Sequence, residues 1–356
     1  MVQNAKRKSI QDLLGFHATS IRLTCLVMEI ELVDIVLEDL LQRPDETTWR
    51  ETAEYINNHP DEFHKFLELA FNDKIDEYEN YKNRLLDVVD FIEPKSAIEV
   101  VGRAIEDTAE KTRIRGLKAA YRGQMDPLVP EVVRILENKN EEFEARKWAI
   151  HILGSIDPDA YGRTLRSLAR APEEDTELRS EAIFSLTNDA SDKNLGALCA
   201  LLGDQISQIR HSSAWALSKI GSPETIPCLL AALEDPETDV RDWAIRALRD
   251  MDDTRALQGL ADTLEKSPPK EQVRMIRLLI ERRSEIILRA IAELLDSSHV
   301  KVRRQAAWAM GVSPYPPAAG ALESLLDDED KQVRVYAKKA LARLGQVDPT
   351  DLGFIL

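Results

Sequence analysis

The sequence predicts an all-α chain built as a solenoid of stacked helical hairpins. Three observations predict it. An arginine recurs about every thirty residues inside amphipathic helical phrases. Small residues hold fixed places after that arginine. No segment shows the period-two alternation of a strand. The chain has 356 residues, long for one core and ordinary for a repeat array.

The arginines align as Arg113, Arg146, Arg179, Arg210, Arg241, Arg274, Arg303 and Arg334, with steps of 33, 33, 31, 31, 33, 29 and 31 residues. The residue before is aliphatic in Leu178, Ile209, Val240, Val273, Val302 and Val333. Three residues after stand Gly116, Ala149, Ala182, Ser213, Ala244, Ala306 and Ala337; seven after stand Leu153, Leu186, Leu217, Leu248, Met310 and Leu341. Spacings of three and four put these on one helix face, and small side chains there let neighbouring helices approach. The rung at Arg274 departs, because Arg277 and Ile280 stand where small residues are expected; a local irregularity is predicted there.

A second amphipathic segment precedes each arginine helix, as in "PLVPEVVRILEN", "TIPCLLAALED", "SEIILRAIAELLD" and "AAGALESLLDD". Short breaks such as "IGSPET" (220–225) separate the two kinds of helix. Asp204, Asp235 and Asp296 lie near the starts of arginine helices, where carboxylates are expected to cap free amides. Neither helix can bury its apolar face alone, so the units must stack. Residues 1–95 are helical in pattern but outside the period, broken at Pro44 and Pro60, and read as an N-terminal cap or degenerate repeats. Residues 96–345 form the array and 346–356 a tail.

The phrases "DPETDVRDWAIRALRDM" and "DEDKQVRVYAKKALARLG", with Pro130 and Pro227 in the preceding helices, resemble HEAT-like repeats of the phycobilisome-lyase type. The resemblance covers about residues 96–345. It implies a right-handed, armadillo-like superhelix whose second helices line a concave surface. It also implies a structural role for the arginines of the column (Arg113, Arg146, Arg179, Arg210, Arg241, Arg303, Arg334), as a ladder to turn acids and carbonyls. For function it is open, since such repeats occur in lyases, hydroxylases, DNA-repair enzymes and scaffolds.

Net charge is −16, and residues 1–100 hold 11 basic against 21 acidic residues. Such a chain is repelled by phosphate backbones at long range, which argues against nucleic acid. No basic stripe is apparent along the sequence, and the N-terminal acidity suits a basic partner. Cys25, Cys199 and Cys228 form no CxxC pair and read as buried thiols in a reducing compartment. The apolar run "LTCLVMEIELVDIVL" is interrupted by Glu29, Glu31 and Asp34, too charged for a membrane span, and the expectation is a cytoplasmic protein.

Two and five residues after the arginine stand Trp148 and His151, Phe184, Trp215, Trp243 and Arg246, Trp308, and Tyr336; four of the chain's five tryptophans fall in these two columns. Either the rings wedge between successive helices, or they line a groove where large rings give contact area at little entropy cost. Lys147, His211, Asp242 and Arg304, next to the arginine, would orient a ligand.

Chemistry is less evident. No His-Glu pair of the deoxyhypusine-hydroxylase kind occurs, no histidine spacing suits a metal, and no GxxxxGK, GxSxG or GxGxxG is present. His211 reads as a surface residue. The expectation is therefore a scaffold without catalytic residues, metal or cofactor that binds a protein or peptide through the concave face. The resemblance keeps two alternatives open: a bilin-lyase-like or phycobilisome-associated factor, and a HEAT-like DNA glycosylase, which acidity disfavours.

Overall fold

The computed structural model describes residues 45–71 and 79–346. The helical pattern read over residues 1–44, the apolar run "LTCLVMEIELVDIVL" and Cys25 lie outside the described residues. The described residues hold nineteen α-helices, several of them opened or closed by a 3₁₀ turn, and no strand. They fall into two compact units divided between Asp157 and Pro158.

The first unit runs α1 (Glu46–Asn58), α2 (Pro60–Ala70), α3 (Glu79–Val88), α4 (Pro94–Ile105), α5 (Glu110–Gly123), α6 (Val129–Glu137) and α7 (Phe143–Ile156). Helices α3, α5 and α7 lie side by side as one layer; α2, α4 and α6 form the other, and each hairpin closes between layers. Helix α1 lies along α3 as α3 lies along α5. The described residues before 96 therefore pack in the same two-layer pattern as those after it. Gly116 marks a close approach of α4 and α5: a Cβ there would meet the Ala104 Cβ and Ile105 Cγ2 at 2.9 Å.

The second unit is six hairpins. Its first-helix layer is α8 (Pro158–Arg170), α10 (Asp192–Leu201), α12 (Ile226–Ala232), α14 (Thr254–Lys266), α16 (Glu285–Glu293) and α18 (Ala319–Ser324). Its second-helix layer is α9 (Thr176–Ser185), α11 (Ser207–Ile220), α13 (Thr238–Asp250), α15 (Pro269–Leu279), α17 (Val300–Val312) and α19 (Lys331–Arg343). Each second helix packs on the next. The small columns lie on these contacts, and Ala182, Ser213, Ala244, Ala306 and Ala337 have no exposed surface. Prolines at the first turns of α12 and at 223 and 316 suit positions whose amides have no intrahelical acceptor. Gly221, at φ 66°, ends α11 with its amide on the Leu217 carbonyl, a conformation that favours glycine.

Asp175, Asp253 and Asp330 are side-chain N-caps. Asp204 and Asp235 are not. Each accepts the amide two residues on, of Ile206 and Glu237 at 2.8 Å, one residue ahead of the helix. They stand in the turn, where a second duty occupies them.

The cysteine expectation is corrected. Cys199 on α10 and Cys228 on α12 are disulfide-bonded, with Cα atoms 5.6 Å apart. Their separation of 29 residues places them on successive first helices. The pairing comes from stacking rather than from a local motif, so spacing along the chain hid it.

Candidate functional site

Each second helix is riveted to its neighbours by one polar side chain. Arg210 donates from Nη1 to the carbonyls of Asp204 and Gln205, and from Nε and Nη2 to the Asp235 carboxylate of the following turn at 2.7 and 3.1 Å. Arg241 reaches the Asp235 and Pro236 carbonyls and Glu271. Arg303 reaches the Ser297 carbonyl and Asp328, and Arg334 the Asp328 and Glu329 carbonyls. Arg113 does the same with the Asp107 and Thr108 carbonyls, Glu141 and Glu142. Arg179 bonds the Ala169 carbonyl and Asp204, and Arg146 the Leu136 carbonyl. Guanidinium forks suit this work because one group satisfies carbonyls and a carboxylate together. The hydrogen bond from Arg303 holds the Asp328 carboxyl below the usual carboxylate range. At Asp235 burial is the largest influence and pushes upward, but the bonds from Arg210 and the Glu237 amide, with the charges of Arg210 and Arg241, together outweigh it and the carboxyl also lies low.

The rung assigned to Arg274 is corrected. Gln272 is the buried residue there, and its Nε2 donates to the Leu264 and Glu265 carbonyls at 3.2 Å. Met275, Ile276 and Leu279 are buried three, four and seven residues after it, matching Ser213, Ala214 and Leu217 after Arg210. Arg274 lies two residues out of register, bonded to Glu271 and against Asp242. With Gln272 in place the rungs are 179, 210, 241, 272, 303 and 334, a step of 31 residues throughout. Here a glutamine does the carbonyl bonding that arginine does in the other rungs. The ladder also begins earlier than expected. Lys82, 31 residues before Arg113, donates to Asp107 at 2.6 Å, and both side chains are nearly sealed from solvent.

The corrected register aligns the face of the second-helix layer turned away from the first helices. Five residues after each rung stand Phe184, Trp215, Arg246, Arg277, Trp308 and Lys339. Phe184, Trp215 and Trp308 are half-buried, and Arg246, Arg277 and Lys339 are exposed. Phe184 meets Trp215 edge-on at 4.9 Å, and the Lys219 ammonium sits over the Trp215 ring at 5.6 Å. Arg277 escapes a reading along the sequence because its rung is Gln272 rather than Arg274.

The second ring column is different. Trp243 is half-buried and leans on the preceding helix, donating from Nε1 to His211 Nε2 at 2.9 Å, with the Arg246 guanidinium 5.7 Å from its ring centre. His211 is therefore a hydrogen-bond acceptor in a seam between helices, not a free surface residue. Tyr336 is half-buried. Arg304, an expected orienting group, is bonded to Asp330 at 2.8 Å. In the first unit Trp148 donates to Glu144 at 3.0 Å, meets Tyr121 edge-on at 5.6 Å and stands 5.5 Å from His151, with Lys118 over its ring. Tyr121 and Lys118 were not singled out by the sequence. Clefts occur at the ladder turns, one of about 500 Å³ bounded by Asp235, Arg241, Lys266 and Glu271; the ring-bearing face is open to solvent at Arg246, Arg277 and Lys339. Among the described residues no His, Cys, Asp and Glu group could hold a metal ion, and no helix is long and apolar enough to cross a membrane.

Hairpins stacked in two layers, with one polar rung per hairpin, define an α-solenoid. The HEAT-repeat family is matched over residues 162–249, 222–281 and 287–352, together more than half of the chain, and the chain belongs to that family. The match is to HEAT repeats in general. Among solved structures, the chain is similar to Kap95 in its complex with Nup1, at 11% identity and a TM-score of 0.53 over 90% of this chain and 52% of that one. It is similar to Kap95p with RanGDP at 12% identity and a TM-score of 0.51, over 88% of this chain and 50% of that one. YibA of E. coli is 21% identical, covering 73% of this chain and 96% of that one, at a TM-score of 0.44. No curated protein sequence matches the chain.

Proposed function

We propose that the second unit is a scaffold that binds a protein or peptide non-covalently on the open face of its second-helix layer. The observation that carries this is the Phe184–Trp215 pair. Both rings are half-buried, fixed edge-on to each other, and still present surface on an open face. Rings held this way offer contact area with little entropy left to lose on binding. A protein of the same fold is seen with a protein partner in the Kap95:Nup1 complex. That supports the class of activity.

The test compares proteins retained from a lysate of the native cell by the wild type and by Trp215→Ala. The variant is expected to lose the specific partner while its melting temperature falls by only a few degrees, since edge-on ring pairs contribute about 0.5–1.5 kcal/mol beyond their area. Unchanged capture by Trp215→Ala sinks the proposal. So does a collapse of helical structure in that variant, which would make the ring a core residue.

A further inference from the structure

The occupant of that face can be given a chemistry, on the reading that the face binds a peptide. Four successive repeats present Trp215, Arg246, Arg277 and Trp308, one residue each, 31 residues apart. The order is ring, cation, cation, ring, the same read from either end.

The two cations are available. Almost every rung arginine of this unit is tied to a carboxylate. Arg246 lies over the Trp243 ring, and Arg277 bonds the neutral Gln305 side chain at 3.2 Å; neither has a carboxylate within ion-pair distance among the described residues. The helices of this layer carry a basic excess although the protein is acidic. The six second helices hold seventeen basic and six acidic residues; the turn carboxylates Asp204, Asp235, Asp328 and Asp330 pair with four of those cations, Arg179, Arg210, Arg303 and Arg304, and leave the excess on the others. An acidic ligand is drawn to this layer and repelled by the rest of the surface, whereas a nucleic acid, with a charge at every phosphate, meets a strongly anionic protein.

Spacing selects the ligand's conformation. Packed helices lie roughly 8–10 Å apart. A polyproline II chain advances roughly 9 Å per three-residue turn and returns every third side chain to one side. A β-strand would turn every third side chain to the opposite side. We propose that this face binds an extended, polyproline II-type acidic peptide running across the helices, with an apolar, an acidic, an acidic and an apolar residue at every third position.

The probe is the fluorescein-labelled decapeptide LPPEPPEPPL, read by anisotropy with the full chain at low salt. Two comparison peptides are LPPKPPKPPL, with the charges reversed, and LPPEEPPPPL, with the glutamates adjacent. The expected result is binding of the first peptide that is at least tenfold tighter than either comparison. Arg246→Glu with Arg277→Glu should reverse the preference, weakening the glutamate peptide at least tenfold and admitting the lysine peptide. Both substitutions are on exposed side chains, so folding is preserved, and the gained lysine-peptide binding cannot come from an unfolded chain. Equal binding of the three peptides overturns the proposal, as does no binding at low salt, or binding of a single-stranded oligonucleotide in place of the peptide. If Trp215→Ala still abolishes partner capture while the charge reversal changes nothing, the scaffold stands and the acidic ligand falls.

Discussion

Lys82 and Asp107 meet at 2.6 Å inside the first unit, 25 residues apart in sequence, the same separation as Arg179 from Asp204, Arg210 from Asp235 and Arg303 from Asp328. A lysine thus occupies a rung of a ladder otherwise built on guanidinium groups and the Gln272 amide. Asp107 also accepts the Ala109 amide at 2.8 Å, so the carboxylate is held from two sides.

Removing one partner strands the other. Lys82→Met leaves Asp107 buried without its counter-charge and is expected to destabilise the protein by about 3–5 kcal/mol, read by urea denaturation. Lys82→Arg restores the pattern of the later rungs and is expected to recover most of that loss. A cost below about 1 kcal/mol for Lys82→Met would show that the pair is not buried as described.

Gln272 and Arg274 give opposite expectations. Gln272→Ala leaves the Leu264 and Glu265 carbonyls without a donor and is expected to cost about 1–3 kcal/mol. Arg274→Ala removes a partly exposed ion pair and should cost less than about 1 kcal/mol. The reverse ranking in thermal denaturation would return Arg274 to the ladder.

The disulfide makes a chemical prediction. Iodoacetamide should leave Cys199 and Cys228 unmodified in the native protein, and label both after reduction and unfolding, as read by peptide mass spectrometry. Closing a loop of this length is worth roughly 3–4 kcal/mol on the chain-entropy account, so Cys228→Ser should lower stability by an amount of that order. Labelling of both thiols without reductant would remove the bond.

Acid should loosen the ladder before it loosens the helices. The bonds from Arg303 lower the Asp328 carboxyl when the protein is folded. A carboxylate depressed in this way contributes stability fully above its unfolded value, about 3.9, and loses it as pH falls through the folded value. Asp328→Asn is therefore expected to be less stable than the wild type at neutral pH, with the difference shrinking below about pH 4. A gap that stayed constant from neutral pH to about pH 2 would deny the linkage.

Much of the fold was legible because stacking leaves a local imprint. The small columns at Ala182, Ser213 and Ala244 and the apolar residues four further on report helix contacts directly, and all proved buried. The irregularity forecast at Arg274 was a fault of alignment: the chain continues in step, with Gln272 in the rung. The ring columns were found in the sequence, but not that Trp243 would lean on His211 while Trp215 stays on the open face. Two and five residues along a helix sit on different sides of the inter-helix seam, and only the neighbour's position says which side is which.

The sequence by itself determined the class of protein: helical hairpins, their period, and most of the arginines that join them. These depend on periodicity within one chain segment. Tertiary structure decided what no period carries. It joined Cys199 to Cys228, placed Lys82 and Gln272 in the ladder, and leaned Trp243 on His211. Those relations hold between residues about thirty positions apart in sequence and adjacent in space, and only the packing of one hairpin on the next makes them neighbours.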